Sequence, residues 1–454
     1  MDRGCEARRS AIGARGCALL LAPLGVALTF GLPASSATSA PVFLYPKSYE
    51  TGGGSFSVAV GDVNRDGKPD LVAASNGVSV LMNKGDGSFL AKADYATGDS
   101  PYSVALGDVN GDGSLDIVTG NTSDDTASVL LNRGDGSFGA PVVYATGHDS
   151  GAIAVGDLNG DGKPDLASAS NYYGSTVSVL LNRGDGSFRA PTLYGAGTGS
   201  LGVVIGDLDN DGKADLVTAN MRVNTASVFL NTGNGGFQAR HDYALGDDPR
   251  SVAIGDLNAD GWADLAAGNE ATDDVSVLLN RGDGGFRAKV DYPTAGRPQS
   301  VAIGDLDADG KPDLATASYY GGAYQTGSAS LLLNRGGGRF RPKLDYIVGG
   351  QPESVVIADL NVDGKQDVAV AMAGHGVSVL LNTTGRCTVR SLVGRTRSSA
   401  KLAIVRNNCR LGKVRRVYSQ IVKGGRVISQ SPGPDTVLPK RSKVSLVVSR
   451  GRRY

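Results

Sequence analysis

The sequence predicts an all-β fold, a seven-bladed β-propeller closed by its own N-terminal strand and followed by a small α+β module. Three observations carry that reading. An acidic nonapeptide, Asp-x-Asn/Asp-x-Asp-Gly-x-x-Asp, recurs seven times, each copy in a block of roughly fifty residues. A hairpin signature accompanies the blocks, as in Leu131-Asn132-Arg133-Gly134-Asp135-Gly136-Ser137-Phe138. A third pattern, Phe-x5-Tyr, closes six blocks and is missing from the seventh.

Each nonapeptide can surround one hard cation. Positions 1, 3, 5 and 9 offer side-chain oxygens, position 7 offers its main-chain carbonyl, and glycine at position 6 permits the sharp turn between them. The first three loops present Asp62, Asn64, Asp66, Lys68 and Asp70; Asp108, Asn110, Asp112, Ser114 and Asp116; and Asp157, Asn159, Asp161, Lys163 and Asp165. The fourth and fifth present Asp207, Asp209, Asp211, Lys213 and Asp215, then Asp256, Asn258, Asp260, Trp262 and Asp264. The last two present Asp305, Asp307, Asp309, Lys311 and Asp313, then Asp359, Asn361, Asp363, Lys365 and Asp367. Oxygen-only ligands in a flexible loop predict calcium, up to seven ions, over magnesium, which demands octahedral geometry and keeps its waters. Without metal the converging carboxylates would repel one another.

The flanks are strands. Ser57-Val58-Ala59-Val60 and Leu71-Val72-Ala73-Ala74 are short apolar runs that suit buried strands, and Gly-Asp-Gly between apolar runs is hairpin chemistry. The second block parses into strands at 103–107, 115–120, 127–132 and 138–144, and four antiparallel strands per repeat make a propeller blade. Phe89/Tyr95, Phe138/Tyr144, Phe188/Tyr194, Phe237/Tyr243, Phe286/Tyr292 and Phe340/Tyr346 end the first six blocks. The seventh stops at Leu381-Asn382, and its missing strand lies at the other end, as Phe43/Tyr49. Strand 42–49 therefore completes the last blade and removes the open edges of the ring.

The unit Val-Ala-x-Gly-Asp-x-Asn-x-Asp-Gly-x-x-Asp-Leu resembles the FG-GAP/VCBS repeat of integrin α-chain propellers and of many secreted bacterial proteins, over residues 41–385. The resemblance implies calcium in the loops that join the first and second strands of each blade. It implies no single activity, because the fold hosts adhesins, lectins and lyases.

Residues 1–40 read as a signal peptide: Arg8, Arg9 and Arg15 precede an apolar stretch from Ala18 to Leu32, then small residues. Cleavage after Ala37 or Ala40 fits, and the stretch is too short to mark an integral membrane protein. Export implies a secreted, extracellular or cell-wall-associated protein of a bacterium, where calcium is abundant.

The zero net charge hides a division. Residues 383–454 hold 18 Lys and Arg against the single acid Asp435, whereas the propeller holds 23 basic and 42 acidic side chains. Seven bound Ca²⁺ would offset most of that excess, so metal and fold should be coupled. Cys5 and Cys17 leave with the signal, and Cys387 and Cys409 remain as a disulfide pair in an exported protein.

The C-terminal residues 386–454 show a capped helix, with Thr396 as cap and Ala400, Ala403 and Ile404 on one face, then strand-like runs at 414–419, 426–430 and 444–449. The stretches Gly425-Arg426-Val427-Ile428-Ser429-Gln430-Ser431-Pro432-Gly433-Pro434 and Lys443-Val444-Ser445-Leu446-Val447-Val448-Ser449-Arg450-Gly451 resemble a PASTA domain, a family associated with peptidoglycan. This copy is single, unusually basic and carries a cysteine pair. Its charge favours peptidoglycan or an anionic wall polymer as partner; outside the cell, nucleic acid is not expected.

Calcium loops and Gly-Asp-Gly hairpins fall on one face of an up-and-down ring. The other face varies most and offers Tyr172, Tyr173, Tyr319, Tyr320 and Tyr324 as a candidate ligand face for an extracellular glycan or protein. Packing between neighbouring loops is the simpler role for these tyrosines. The Arg-Gly-Asp triplets at 133–135, 183–185 and 281–283 follow from the recurring turn. His148, His241 and His375 have no recurring nucleophile or base around them, so the expected function is binding or adhesion and not catalysis. The alternative is a calcium-dependent carbohydrate-active enzyme of the polysaccharide lyase type on the same scaffold.

Overall fold

A computed structural model describes residues 40–147, 150–170, 173–321, 326–434, 436–438 and 441–453; the side chains of Tyr320, Gly321 and Arg406 are not described. Residues 1–39 of the expected signal peptide, His148, Tyr172 and Tyr324 lie outside the described residues.

Seven four-stranded antiparallel sheets form the blades of a propeller. Blade two runs Pro101–Gly107, Asp116–Asn121, Thr126–Leu130 and Val142–Ala145. Its middle strands are almost wholly buried, because both sheet faces are covered by neighbouring blades; this is why they read as continuous apolar runs without alternation. The outermost strand is mostly exposed.

Blade seven takes its fourth strand from the other end of the chain. Lys47–Tyr49 pairs antiparallel with Gly376–Leu380, and Phe43 bridges to Asn382. The closing strand is thus shorter than the expected 42–49, with a break between bridge and ladder. Blade two departs in the same way from the expected 138–144: Phe138 makes one bridge to Asn132, and the ladder resumes only at Val142, a break that recurs in blades with no proline there, as at Lys92 and Lys289.

The Phe-x5-Tyr motif links blades. Tyr95 meets Phe138 edge-on at 5.3 Å, Tyr144 meets Phe188 at 5.4 Å, and the pattern continues to Tyr292 and Phe340 at 5.1 Å. Tyr346 of blade six meets Phe43 at 5.1 Å, and Tyr49 meets Phe89 of blade one at 5.0 Å, so the closing strand supplies both halves of the seal.

The C-terminal part holds one helix, Arg397–Arg406, whose N-cap Thr396 accepts from Ser399 N as its position predicts. Ala400 and Ile404 face a core with Val427, Val444, Leu446 and Val448. The strands are Arg410–Val417, Val427–Ser431 and Lys443–Ser449, with the last in the middle. The first starts earlier than the expected 414, because Arg410 already pairs in parallel with Lys443 before a bulge between Leu411 and Val414. A second small sheet, Cys387–Thr388 with Val437–Leu438, had no clear signal in the sequence. Among the described residues no helix is long and apolar enough to cross a membrane.

Candidate metal centres

Each acidic loop joins the first two strands of its blade. In the third loop Asp157 at position 1 accepts from Gly160 N at 2.7 Å through Oδ1 and from Gly162 N at 2.8 Å through Oδ2. Asn159 Oδ1 accepts from Asp161 N at 2.8 Å, and Asp161 Oδ1 accepts from Lys163 N at 3.1 Å. These Asx turns curl the backbone tightly around the side chains of positions 1, 3 and 5. Position 6 is glycine in the left-handed region throughout, φ 80° at Gly67 and 87° at Gly261.

Position 4 is left-handed as well, and nothing in the residue types announced it. Gly111 and Gly160 adopt that conformation freely, but Arg65, Asn210, Ala259, Ala308 and Val362 adopt it at φ 53–63°. Non-glycine residues there carry strain, Val362 most of all because it is β-branched. Seven loops holding one geometry through different residues indicates that the turn is imposed by what surrounds it.

Position 9 anchors the loop. Asp70 is fully buried; its Oδ2 accepts from Val63 N at 3.1 Å and its Oδ1 from Asn83 N at 2.7 Å. Burial, joined by the charges of Asp66 and Asp62, pushes its carboxyl up to about 6 despite those two N–H bonds. Asp116, Asp165, Asp215 and Asp264 are likewise pushed up to about 6, and Asp313 and Asp367 to about 7. A buried carboxylate in that condition is stabilised by a cation beside it.

Two observations test the fit to a metal. Asp207 Oδ1 and Asn361 Oδ1, at positions 1 and 3 of their loops, are buried without a hydrogen-bond partner. Carboxylate oxygens of Asp207, Asp209 and Asp215 all lie within 4.8 Å of one another, as do those of Asp305, Asp307 and Asp309. Hard, converging oxygen donors of this kind can hold a metal ion. Lys68 partly neutralises its own loop, its Nζ 2.9 Å from Asp66 Oδ2. Trp262, whose side chain the sequence left idle, lies against Gly282 of its own hairpin, only 3.1 Å from where a Cβ would sit. The loops and hairpins therefore share one face, as expected.

The residues that sequence reasoning missed are the asparagines of the Leu-Asn signature. Asn132 N donates to Asp116 Oδ1 at 2.8 Å, while its Nδ2 donates to Leu115 O and to Val63 O of the preceding blade, both at 2.8 Å. Asn182, Asn231, Asn280 and Asn334 repeat the arrangement toward Val109, Leu158, Leu208 and Leu257. Each acidic loop is thus tied to the next around the ring. The signal was visible as an invariant Asn before every hairpin, but hairpin chemistry alone accounted for it.

In the seventh loop the neighbouring cation comes from outside the loop. Arg386, where the chain leaves the propeller, reaches to 3.4 Å from Asp363 Oδ2, and the Asp363 side chain is only 6% exposed. A guanidinium thus sits beside the position 5 ligand.

On the opposite face, the side chains of two of the candidate tyrosines, Tyr173 and Tyr319, are described. Tyr173 is 77% exposed with the Arg222 guanidinium 5.2 Å from its ring, across the seam between blades three and four. Tyr319 Oη donates to Glu353 of blade seven, and Arg297 lies 5.3 Å from its ring. Both described tyrosines pack across seams between blades. The Asp135 and Asp185 carboxylates of two Arg-Gly-Asp triplets accept from Ser137 N and Ser187 N, each at 2.9 Å, so these triplets close their own turns.

Comparison with known proteins agrees with this architecture. Residues 62–119, 108–168, 157–218, 207–267 and 256–316 match the FG-GAP-like repeat, and residues 388–450 match the PASTA domain. A protein named Probable serine/threonine-protein kinase, from Clostridium acetobutylicum, is 42% identical over 64 residues, which are 14% of this chain and 10% of the kinase. The chain thus spans about a tenth of that relative. Among solved structures, BBS1N in complex with ARL6DN superposes with a TM-score of 0.52 at 10% identity over 76% of this chain and 97% of that one. An Agrocybe aegerita lectin that recognises non-reducing terminal N-acetylglucosamine gives 0.45 at 19% identity over 71% and 86%. With five matched repeats over more than half its length, each spanning from one acidic loop to the next, the chain belongs to the FG-GAP-like repeat proteins and carries a PASTA domain behind the propeller.

Proposed function

We propose that this is a secreted calcium-binding propeller that acts as a binding or adhesion protein outside a bacterial cell, with its PASTA domain in contact with the wall. Residues 1–40 serve as the export signal, 41–385 form the propeller and 386–454 the wall-directed module. One observation carries the metal assignment: every loop buries its position 9 aspartate beside further carboxylates, and Asp207 Oδ1 and Asn361 Oδ1 are buried without partners. Calcium suits these donors best, since it accepts many oxygen ligands in a loose shell. Positions 1, 3, 5 and 9 would hold it with the position 7 carbonyl, and its charge would offset the acidic excess of the propeller. These loops are scaffold; the described tyrosines on the other face each meet a neighbouring blade.

Partner binding is assigned to the chain as a whole: an extracellular glycan or protein for the propeller, and peptidoglycan or anionic wall polymer for the basic module. Residues 41–454 should sediment with purified cell walls at physiological salt, and the PASTA-side charge should be required. Failure to sediment in calcium would sink the wall assignment. Turnover of polyuronate by the purified protein would replace the binding reading with an enzymatic one.

A further inference from the structure

The loop after strand Arg410–Val417 combines features that wall binding does not use. Ile421 is 94% exposed, the highest value among the described large hydrophobic residues, and Tyr418 beside it is 51% exposed. This is a shaped loop. Ser419 Oγ accepts from Ile421 N at 3.3 Å and from Val422 N at 3.0 Å, and Ser449 Oγ donates to Val422 O at 2.6 Å. Ser419 N donates to Gly451 O at 3.0 Å, and Arg452 Nε donates to Gln420 O at 3.3 Å. The backbone is held at both ends, and it holds Ile421 outward.

Cations ring this apolar tip. Arg450 and Arg453 lie 5.6 and 5.7 Å from the Tyr418 ring, and Lys423, Arg452 and Arg453 are exposed. An aliphatic wedge beside an aromatic ring, with guanidinium and ammonium groups around them, matches the cross-section of a membrane surface: anionic headgroups outside, acyl chains just beneath. A soluble anionic polymer would be met by the cations alone and would leave Ile421 in water. Lipid rewards both.

We propose that the Tyr418–Ile421 tip is a membrane-docking site that inserts Ile421 among the acyl chains of an anionic phospholipid surface while Lys423, Arg450, Arg452 and Arg453 engage the headgroup phosphates. The site extends the wall-directed role of the module toward the bilayer beneath the wall, and it stands even if wall sedimentation fails.

The test uses residues 41–454, which contain every sheet and the helix described above, in constant calcium. Binding to phosphatidylcholine vesicles containing phosphatidylglycerol is expected, with none to pure phosphatidylcholine. Ile421→Ser should weaken it by about tenfold or more, and the Arg452→Ser/Arg453→Ser pair by a comparable factor. The chain has a single tryptophan. Ile421→Trp in a Trp262→Phe background therefore gives one reporter at the tip, whose emission should shift to the blue with anionic vesicles and stay unchanged with a soluble glycerol-phosphate polymer. Vesicle binding that is absent, or that survives Ile421→Ser undiminished, overturns the proposal. So does a reporter that responds to the polymer and not to vesicles.

Discussion

Asn83 of blade one donates its side-chain Nδ2 to Leu360 O of blade seven at 2.8 Å, across 277 residues of sequence. The same side chain donates to Pro69 O at 2.7 Å, and its Oδ1 accepts from Gly85 N at 2.8 Å. Asn382 makes the matching bond to Leu306 O of blade six, so the asparagine ladder closes on itself as the aromatic pairs do.

Replacing Asn83 by alanine removes three bonds and strands two carbonyls and one N–H, the Leu360 carbonyl fully buried and the other two groups part-buried. Each unmet buried group costs about 1–3 kcal/mol. Asn83→Ala should lower unfolding stability by about 3 kcal/mol, read from urea denaturation in saturating calcium. A loss no larger than that of an exposed substitution would show that water replaces the bonds at no cost.

The contrast between the two ring-closing devices shows what the sequence could reveal. Phe43/Tyr49 at one end and the truncated block at the other counted the blades and named the closing strand. That Tyr49 meets Phe89 of the next blade was hidden, because each tyrosine lies close in sequence to the phenylalanine of its own block and far from the one it meets. Asn83 was hidden for a related reason: it is part of the hairpin in sequence, but its partner belongs to another repeat. The strain at Val362 was illegible altogether, since a left-handed valine is set by the surrounding loop and not by its own preference.

Calcium should raise the thermal midpoint, and a chelator should lower it. Ligand at a hundredfold excess over Kd stabilises by about 2.7 kcal/mol per site, so several loops acting together dominate the stability of the propeller. Asp207→Asn removes a charge from a loop whose Oδ1 is buried without a partner and should cost one bound ion, counted by metal analysis of the dialysed protein. Equal midpoints in calcium and chelator would end the metal assignment.

The seventh loop should bind its ion more tightly once two local features are removed. Arg386 stands 3.4 Å from Asp363 Oδ2, where an ion would sit, and Val362 holds a φ of 53°. Arg386→Met removes the competing cation and Val362→Gly relieves about 1 kcal/mol of strain. Each substitution should strengthen one step of a calcium titration severalfold and leave the other steps in place. Unchanged isotherms for both would show that neither feature opposes binding at this loop.

Glu270 sets an acid limit on the far face. Burial pushes its carboxyl up, but the Arg297 hydrogen bond and the Arg250 charge outweigh burial and hold it below the ordinary range. Stability from a depressed carboxyl is fully present above the unfolded value, about 4.3, and is lost as pH falls through the lower folded value. Glu270→Gln leaves two guanidinium groups facing a neutral amide. With Arg297 half exposed, the loss at neutral pH should be about 2 kcal/mol. The gap between the wild type and Glu270→Gln should stay constant above about pH 4.3 and narrow below it. A gap that widens in acid would contradict the ion-pair account.

The disulfide should matter to one part of the chain only. Cys387 and Cys409 are bonded across a separation of 22 residues and are both buried in the core that holds Ala400, Ile404 and Val444. A loop of that size gives about 3 kcal/mol by constraining the unfolded chain, which is most of what so small a core can supply. The propeller draws its stability from the interblade aromatic pairs, the asparagine ladder and the acidic loops, none of which involves a thiol. In calcium, Cys387→Ala/Cys409→Ala should therefore melt in two steps, an early one for the C-terminal module and a late one at the midpoint of the parent propeller. Proteolysis between the steps should release a fragment ending near Arg386. A single transition shifted as a whole would instead show that the module and the ring unfold together.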